Sequence, residues 1–192
     1  MTTFVLATHN AHKVEELRRI LGARLGPHEL VGYDGPEPVE DGDSFEANAL
    51  IKARAANAHT GLPAVADDSG ISVRALGGAP GIHSARYAGT RDDVDNYELL
   101  LAELAGQADR AAEFVCAAAL VDGDRELVVR GVWPGVVLEA PSGSHGFGYD
   151  PVFRPDGVAT SSAELTPEEK NAISHRARAF GTLVERMREL YG

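Results

Sequence analysis

Two carboxylates stand side by side in Val65-Ala66-Asp67-Asp68-Ser69-Gly70, at the end of the short apolar run Pro63-Ala64-Val65-Ala66. Adjacent carboxylates repel each other and need a compensating cation. Hard divalent ions such as Mg²⁺ take carboxylate oxygens and keep several waters. The carboxyl end of a buried strand is also where α/β sheets usually place ligands. Glu40-Asp41, in the preceding acidic loop, offers a further oxygen ligand. The same Asp-Asp-Ser-Gly run equally suits a turn closed by an aspartate side chain, and local sequence leaves both readings open.

A second set is Thr8-His9-Asn10-Ala11-His12-Lys13, a polar turn between an apolar run and an amphipathic segment. A turn that leaves a strand at a helix start exposes unpaired backbone N–H groups and a positive dipole end, both of which favour phosphate. Thr8 and Asn10 add side-chain hydrogen bonds, and Lys13 adds a point charge. The alternative is a helix cap with a surface lysine. The GxxxxGK[ST] phosphate-loop motif occurs nowhere in the chain. In Gly146-Phe147-Gly148-Tyr149-Asp150-Pro151, glycines beside two aromatics suit a flat ligand stacked on a ring, or a structural loop anchored by those rings. Lys170 with Ser174-His175-Arg176 is a donor cluster able to read an acceptor-rich ligand, or else a solvated helix face. His28, His59 and His145 have no evident partners and are assigned no role.

These residues must be carried by regular elements. Thr-Phe-Val-Leu-Ala before Thr8 reads as a buried strand, and Lys13 to Leu21, with Val14, Leu17 and Leu21 on one stripe, as an amphipathic helix. Gly32 to Gly42 is Gly-, Pro- and acid-rich and predicts loop with at most a short strand. Asp43-Ser44-Phe45-Glu46 predicts a helix start running to about His59. Pro63 to Ala66 predicts a short strand ending at Asp67, and Gly77 to Gly81 a loop. Asp92 or Asp93 caps a helix carrying Tyr97, Leu100, Leu101 and Leu104. Phe114 to Val121 and Glu126 to Val132, around Asp122-Gly123-Asp124-Arg125, predict an antiparallel hairpin. Pro141 to Pro151 predicts loop. Thr166-Pro167-Glu168-Glu169 is a capping box opening a helical repeat that runs to the C-terminus, with Ser174 able to start a second helix at His175. Alternating strands and helices followed by a hairpin predict an α/β fold with a mixed sheet.

The 192 residues are about one domain's worth, and 44% hydrophobic with 24% charged leaves enough for a sizeable core. The net charge of −11 argues against broad nucleic-acid or anionic-membrane binding while allowing a small anion in a local basic pocket. The single cysteine, Cys116, lies in an apolar run and reads as a buried small hydrophobe. No zinc-ligand spacing occurs. No apolar stretch approaches the ~20 residues of a membrane span, and the N-terminus lacks a signal-peptide pattern; the expectation is a soluble cytoplasmic protein.

Individually weak, these motifs are specific in their order. The series THNAHK, VADDSG, GGAPGIHSARYAG, GFGYDP and AELTPEEKNAISHRA resembles the inosine/xanthosine triphosphate pyrophosphatase family, from about Phe4 to Leu190. The resemblance implies hydrolysis of the deaminated purine nucleoside triphosphates ITP, dITP and XTP to monophosphate and pyrophosphate, cleansing the nucleotide pool. It implies Mg²⁺ as cofactor and a homodimer. It also implies a single domain over 1–192, an elongated mixed β-sheet with helices forming two lobes around a central nucleotide-binding cleft. Carried over residue by residue, Thr8, His9, Asn10, Ala11, His12 and Lys13 correspond to the triphosphate-binding segment. Asp68 corresponds to the catalytic acidic residue and metal ligand, with Glu40 as the other ligand. Lys52 corresponds to the phosphate-side, catalytic lysine, and Ser69 to a substrate contact. Phe147, Gly148, Tyr149 and Asp150 correspond to the nucleoside-binding loop, and Lys170, His175 and Arg176 to the base-reading end.

Three departures stand out. His9 occupies a position where the family commonly has Gly, so its Cβ restricts the turn if positive φ is required there. Ala47 stands where the family often has Glu, with Glu46 one residue earlier, and His83 replaces an aromatic hydroxyl. Three rivals remain, the first a related nucleotide pyrophosphatase that prefers modified pyrimidine or methylated nucleotides. An aspartyl-nucleophile phosphatase would want Asp-x-Asp-x-Thr, which is absent, and a silent nucleotide binder would need no acidic metal site.

Overall fold

A computed structural model of the chain describes residues 1–192, apart from the side chain of residue 23. The elements are β1 (Thr3–Leu6), α1 (Ala11–Leu21), β2 (Glu29–Gly32), α2 (Phe45–Thr60), β3 (Ala64–Val73), α3 (Asp93–Glu103), β4 (Ala111–Asp122), β5 (Arg125–Val137), β6 (Phe153–Pro155), α4 (Pro167–Ile173) and α5 (His175–Tyr191). The strands form a six-stranded sheet in the order β2-β1-β3-β4-β5-β6. β1 runs parallel to β2 and β3, whereas β5 and β6 are antiparallel, so the sheet is mixed as the pattern predicts.

The caps follow the sequence. Asn10 accepts a hydrogen bond from Lys13 N and starts α1, while Ser44 accepts from Ala47 N and starts α2. Asp92 caps α3 through Val94 and Asp95. Thr166 and Glu169 complete the predicted capping box of α4, with Pro167 in its first turn. Ser174, extended at ψ 165°, interrupts the helical repeat so that α5 begins anew at His175. That break sets the direction of His175 and Arg176.

The chain divides into two compact units, residues 1–68, 116–131 and 175–192, and residues 69–115 and 132–174. In the first, Phe4, Leu6, Leu17, Leu21, Val65, Cys116, Leu120, Phe180 and Leu183 form a buried core between the strands and the α1–α5 pair. Here α2 presents Ala49, Ala53 and Ala56, all fully buried small side chains. In the second, Ile71, Val73, Leu100, Phe114, Trp133, Val152 and Phe153 form a separate core, with the Phe114 and Phe153 rings edge-to-face at 4.5 Å. No helix among the described residues is long and apolar enough to cross a membrane.

Two expectations need correction. β3 does not end at Asp67 but continues through Asp-Asp-Ser-Gly to Val73. Ile71 and Val73 are fully buried, Ile71 N donates to Ser84 Oγ at 2.9 Å, and Gly70 passes Gly81 and Ser84 too closely for any Cβ. These contacts hold extended a four-residue run that, from local sequence, equally suits a turn. The hairpin strands β4 and β5 also run further than predicted, and β2 lies just before the loop predicted from Gly32.

A comparable close approach fixes α5. At Gly131 of β5 an added Cβ would collide with the backbone of His175 and Ala179. Gly131→Ala is expected to destabilise the protein by about 1–3 kcal/mol, because backbone cannot yield as a side-chain tip can. Urea denaturation checks this, and a variant with wild-type midpoint would refute it.

Candidate active site

Successive side chains on a strand point to opposite faces, so the adjacent carboxylates of β3 diverge. Asp67 meets α1 and α5. Its Oδ2 accepts from Lys13 Nζ at 3.0 Å and from Arg176 Nε at 3.4 Å. Arg176 also donates from Nη1 to Glu16 Oε2 at 2.8 Å. Asp68 meets α2, where its Oδ1 accepts from Lys52 Nζ at 3.1 Å and its Oδ2 from Asn48 Nδ2 at 3.4 Å. Lys52 Nζ simultaneously pairs with Glu40 Oε2 at 3.0 Å. The expected mutual repulsion of the pair is thus relieved by geometry as well as by charge, because each carboxylate has its own cation.

Their titration differs accordingly. Burial pushes the Asp67 carboxyl up, but Lys13, Arg176 and Lys52 outweigh it and hold Asp67 well below the usual carboxylate range. At Asp68 burial wins, aided by nearby Glu40, and the pKa is raised despite Lys52 and Lys13. Burial alone would lower the Lys52 pKa, yet Asp68, Asp67 and Glu40 raise it, so the ammonium persists. Burial pushes the Cys116 thiol up beside Asp67, which makes it an inert core residue as expected.

The turn before α1 needs no positive φ, since no described non-glycine residue has one. His9 therefore replaces glycine without backbone strain, and its Nδ1 lies 3.0 Å from Glu37 Oε1. Thr8 Oγ1 accepts from Asn10 N, which tightens the turn. At the Ala47 departure, the preceding Glu46 pairs with Arg130 at 3.1 Å.

In the second unit Asp150 is buried and organises its loop. Its Oδ2 accepts from Lys170 Nζ at 2.6 Å and from Phe147 N at 2.9 Å, while Oδ1 accepts from Ser162 Oγ at 2.8 Å. Lys170 Nζ sits 5.2 Å from the Phe147 ring centroid. Gly148 N donates to Asp93, and the Tyr149 hydroxyl donates to the Ser84 carbonyl. Lys170, His175 and Arg176 are all buried. That overturns the solvated-face alternative: Lys170 is held inside by Asp150, and Arg176 by Asp67 and Glu16.

The structure thus brings Lys13, Lys52, Glu40, Asp67, Asp68 and Arg176 together in the first unit, and Phe147, Tyr149, Asp150 and Lys170 in the second. Ser69 follows Asp68 on β3 as the first residue of the second unit. Arg176, assigned by resemblance to base reading, has its Nε and Nη1 on Asp67 and Glu16. Sequence reasoning missed Glu16, one turn beyond Lys13 on α1, and Asn48, one turn before Lys52 on α2. Helical spacing from each lysine was the available signal.

Glu40 and Asp68 converge on one ammonium, so two hard oxygen donors already share a cation. Among the described residues no group of three metal-binding side chains occurs. This donor set fits Mg²⁺, which is commonly held by one or two carboxylates plus substrate phosphates. It does not resemble a closed all-protein cage.

Comparison with known proteins adds independent findings. A model described as the Ham1 family matches residues 4–186. A dITP/XTP pyrophosphatase of Leifsonia xyli is 56% identical over 194 residues, covering 99% of this chain and 98% of the relative. One from Streptomyces coelicolor is 54% identical over 200 residues, covering 100% of both. A HAM1 protein of Coxiella burnetii has a structure similar at TM-score 0.90, with 40% identity over 98% of this chain and 100% of that one. A nucleoside-triphosphatase / dITP/XTP pyrophosphatase of Mycobacterium abscessus gives TM-score 0.77 at 48% identity, over 94% and 98% of the two chains.

The two aspartates are expected to respond unequally to substitution. Asp67→Asn strands Lys13 and Arg176 and should cost about 3 kcal/mol or more, as breaking a buried pair does. Asp68 has a raised folded-state pKa, so its ionised form costs stability at pH above that value. Asp68→Asn leaves Lys52 its Glu40 partner and should therefore cost less stability at pH 7 than Asp67→Asn. Calorimetry of both variants checks the order.

Proposed function

The chain belongs to the Ham1 family, and from that premise we propose that it hydrolyses deaminated purine nucleoside triphosphates, ITP, dITP and XTP, to the monophosphate and pyrophosphate. The observation that carries the mechanism is the division of labour between the two aspartates of β3, Asp67 enclosed by Lys13 and Arg176, and Asp68 sharing the Lys52 ammonium with Glu40.

A triphosphate carries about four negative charges near neutral pH. The cluster holds three cations, Lys13, Lys52 and Arg176, against four carboxylates, Glu16, Glu40, Asp67 and Asp68. On these charges alone it would repel the substrate. We therefore include Mg²⁺ in the reading, held by Asp68 and Glu40 together with phosphate oxygens. When bound, it supplies neutralisation of phosphate charge and Lewis-acid polarisation of the reacting phosphoryl group.

This chain's own residues do the rest. Asn10 keeps the first amides of α1 oriented toward phosphate, and the dipole end favours its charge. Asp67, itself anchored by Arg176, holds the Lys13 ammonium beside that turn. Asp68, held at Oδ1 by Lys52 and at Oδ2 by Asn48, is oriented to take a proton from the attacking water. The water oxygen bonds to the α-phosphorus, the α–β bridging bond breaks, and pyrophosphate leaves with the electron pair. Lys52 offsets charge on the departing oxygens.

Base selection follows from hydrogen-bond polarity. Hypoxanthine and xanthine present an acceptor oxygen at position 6, where adenine presents an amino donor. A purine stacked on Phe147 meets the Lys170 ammonium, a donor, while Asp150 is already engaged by Lys170, Phe147 and Ser162. Each donor-to-donor mismatch costs about 1–3 kcal/mol, so two or three give ~10³-fold discrimination. The homodimer implied by resemblance belongs to this reading and is checked by sedimentation equilibrium.

The test is product analysis with ITP, XTP, GTP and ATP in parallel. Monophosphate and pyrophosphate in equal amounts are expected from ITP and XTP, with ATP slower by about 10³-fold and activity lost on adding EDTA. Orthophosphate release, or equal rates on ATP, would refute the reading.

A further inference from the structure

Helix α2 reaches both Asp68 and the irregular segment that carries Glu40 through two residues one turn apart. Lys52 Nζ binds Glu40 and Asp68 at 3.0 and 3.1 Å. Asn48, 3% exposed, makes a parallel pair of contacts. Its Oδ1 accepts from Gly42 N at 2.9 Å, and its Nδ2 donates to Asp68 Oδ2 at 3.4 Å. The orientation of the amide is dictated by chemistry. A backbone N–H only donates, so the oxygen faces Gly42 and the NH₂ faces the carboxylate. Gly42 suits this approach, because a Cβ there would lie 2.6 Å from Asn48 Oδ1 and 2.8 Å from Ala47 Cβ.

We infer that Asn48 is the positioning residue for the acidic half of the site, setting the spacing between Asp68 and the chain segment that bears Glu40. Lys52 cannot hold that spacing by itself. Its ammonium follows the strongest nearby anion, so an arriving phosphate or divalent cation redistributes its contacts. Asn48 is neutral, adds no charge to a carboxylate-rich cluster, and keeps both hydrogen bonds whatever the charge nearby. With Lys52 on Oδ1 and Asn48 on Oδ2, the helix holds the Asp68 carboxylate at both oxygens, one contact variable and one constant.

The kinetic consequence rests on the pyrophosphatase reading, while the structural consequence for residues 39–43 does not. The experiment therefore measures both in the wild type, Asn48→Ala and Gly42→Ala. The second variant breaks the same contact from the opposite side while keeping the Asn48 and Asp68 side chains, so it decides the matter if Asn48→Ala folds poorly. Amide hydrogen exchange of residues 39–43 should quicken about tenfold in either variant, as expected for loss of a buried hydrogen bond. The Mg²⁺ concentration for half-maximal pyrophosphate release from ITP should rise about tenfold, and kcat should fall with KM for ITP within about threefold. Exchange and Mg²⁺ requirement both within twofold of wild type would overturn the inference, even if thermal stability dropped. A wild type that released no pyrophosphate from ITP would instead overturn the functional reading, and exchange alone would then decide the role of Asn48.

Discussion

The alternation of side chains along β3 is the constraint on which the site depends. Two adjacent carboxylates on a helix or loop would share one environment, and ionising one would oppose ionising the other. On an extended strand they face opposite sides of the sheet, toward different helices. Asp67 is enclosed by Lys13 and Arg176 and stays ionised. Asp68, less well compensated by Lys52, keeps a raised pKa. Under the proposed function, one dipeptide thereby supplies both a fixed charge that positions a cation and a carboxylate for the chemistry.

The surrounding elements serve that arrangement. The break at Ser174 starts α5 afresh, and the close passage of Gly131 beneath His175 and Ala179 seats its first turn against β5. Arg176 thus arrives beside Asp67 with Glu16 behind it. On the other face, buried alanines let α2 lie close to the sheet, which brings Asn48 and Lys52 within reach of Asp68. The buried charges are costly to desolvate and survive because each is paired and hydrogen-bonded. That expense is consistent with function rather than with stability alone. The chain as a whole carries a net charge of −11, so its affinity for a polyanion must be local.

Much of this was legible in the residues themselves. The cap at Ser44 and the Thr166–Glu169 box rest on local chemistry, and local chemistry is what a single sequence displays; it leaves open whether the helix restarts at Ser174. The hairpin and mixed sheet were readable for the same reason, and the ordered motifs pointed to the family. The extension of β3 through Asp-Asp-Ser-Gly was not readable, because Ser84 and Gly81, which hold it, lie over ten residues away. Nor were the partners of the charges. Arg176 is separated from Glu16 by 160 positions and from Asp67 by 109. A polar cluster such as Lys170-His175-Arg176 looks solvated until its buried partners are known, and Asn48 and Glu16 look like ordinary helix residues until the carboxylates they serve are in place.

The central claim is that neighbouring aspartates on one strand differ in protonation behaviour because they face different sets of cations. Site-resolved carbon NMR of the two carboxyl groups, followed through an acid titration of the nucleotide-free protein, tests it most directly. The account predicts that Asp67 remains ionised well below the ordinary carboxylate range while Asp68 takes up its proton above that range. Coincident midpoints, or the reverse order, would contradict it.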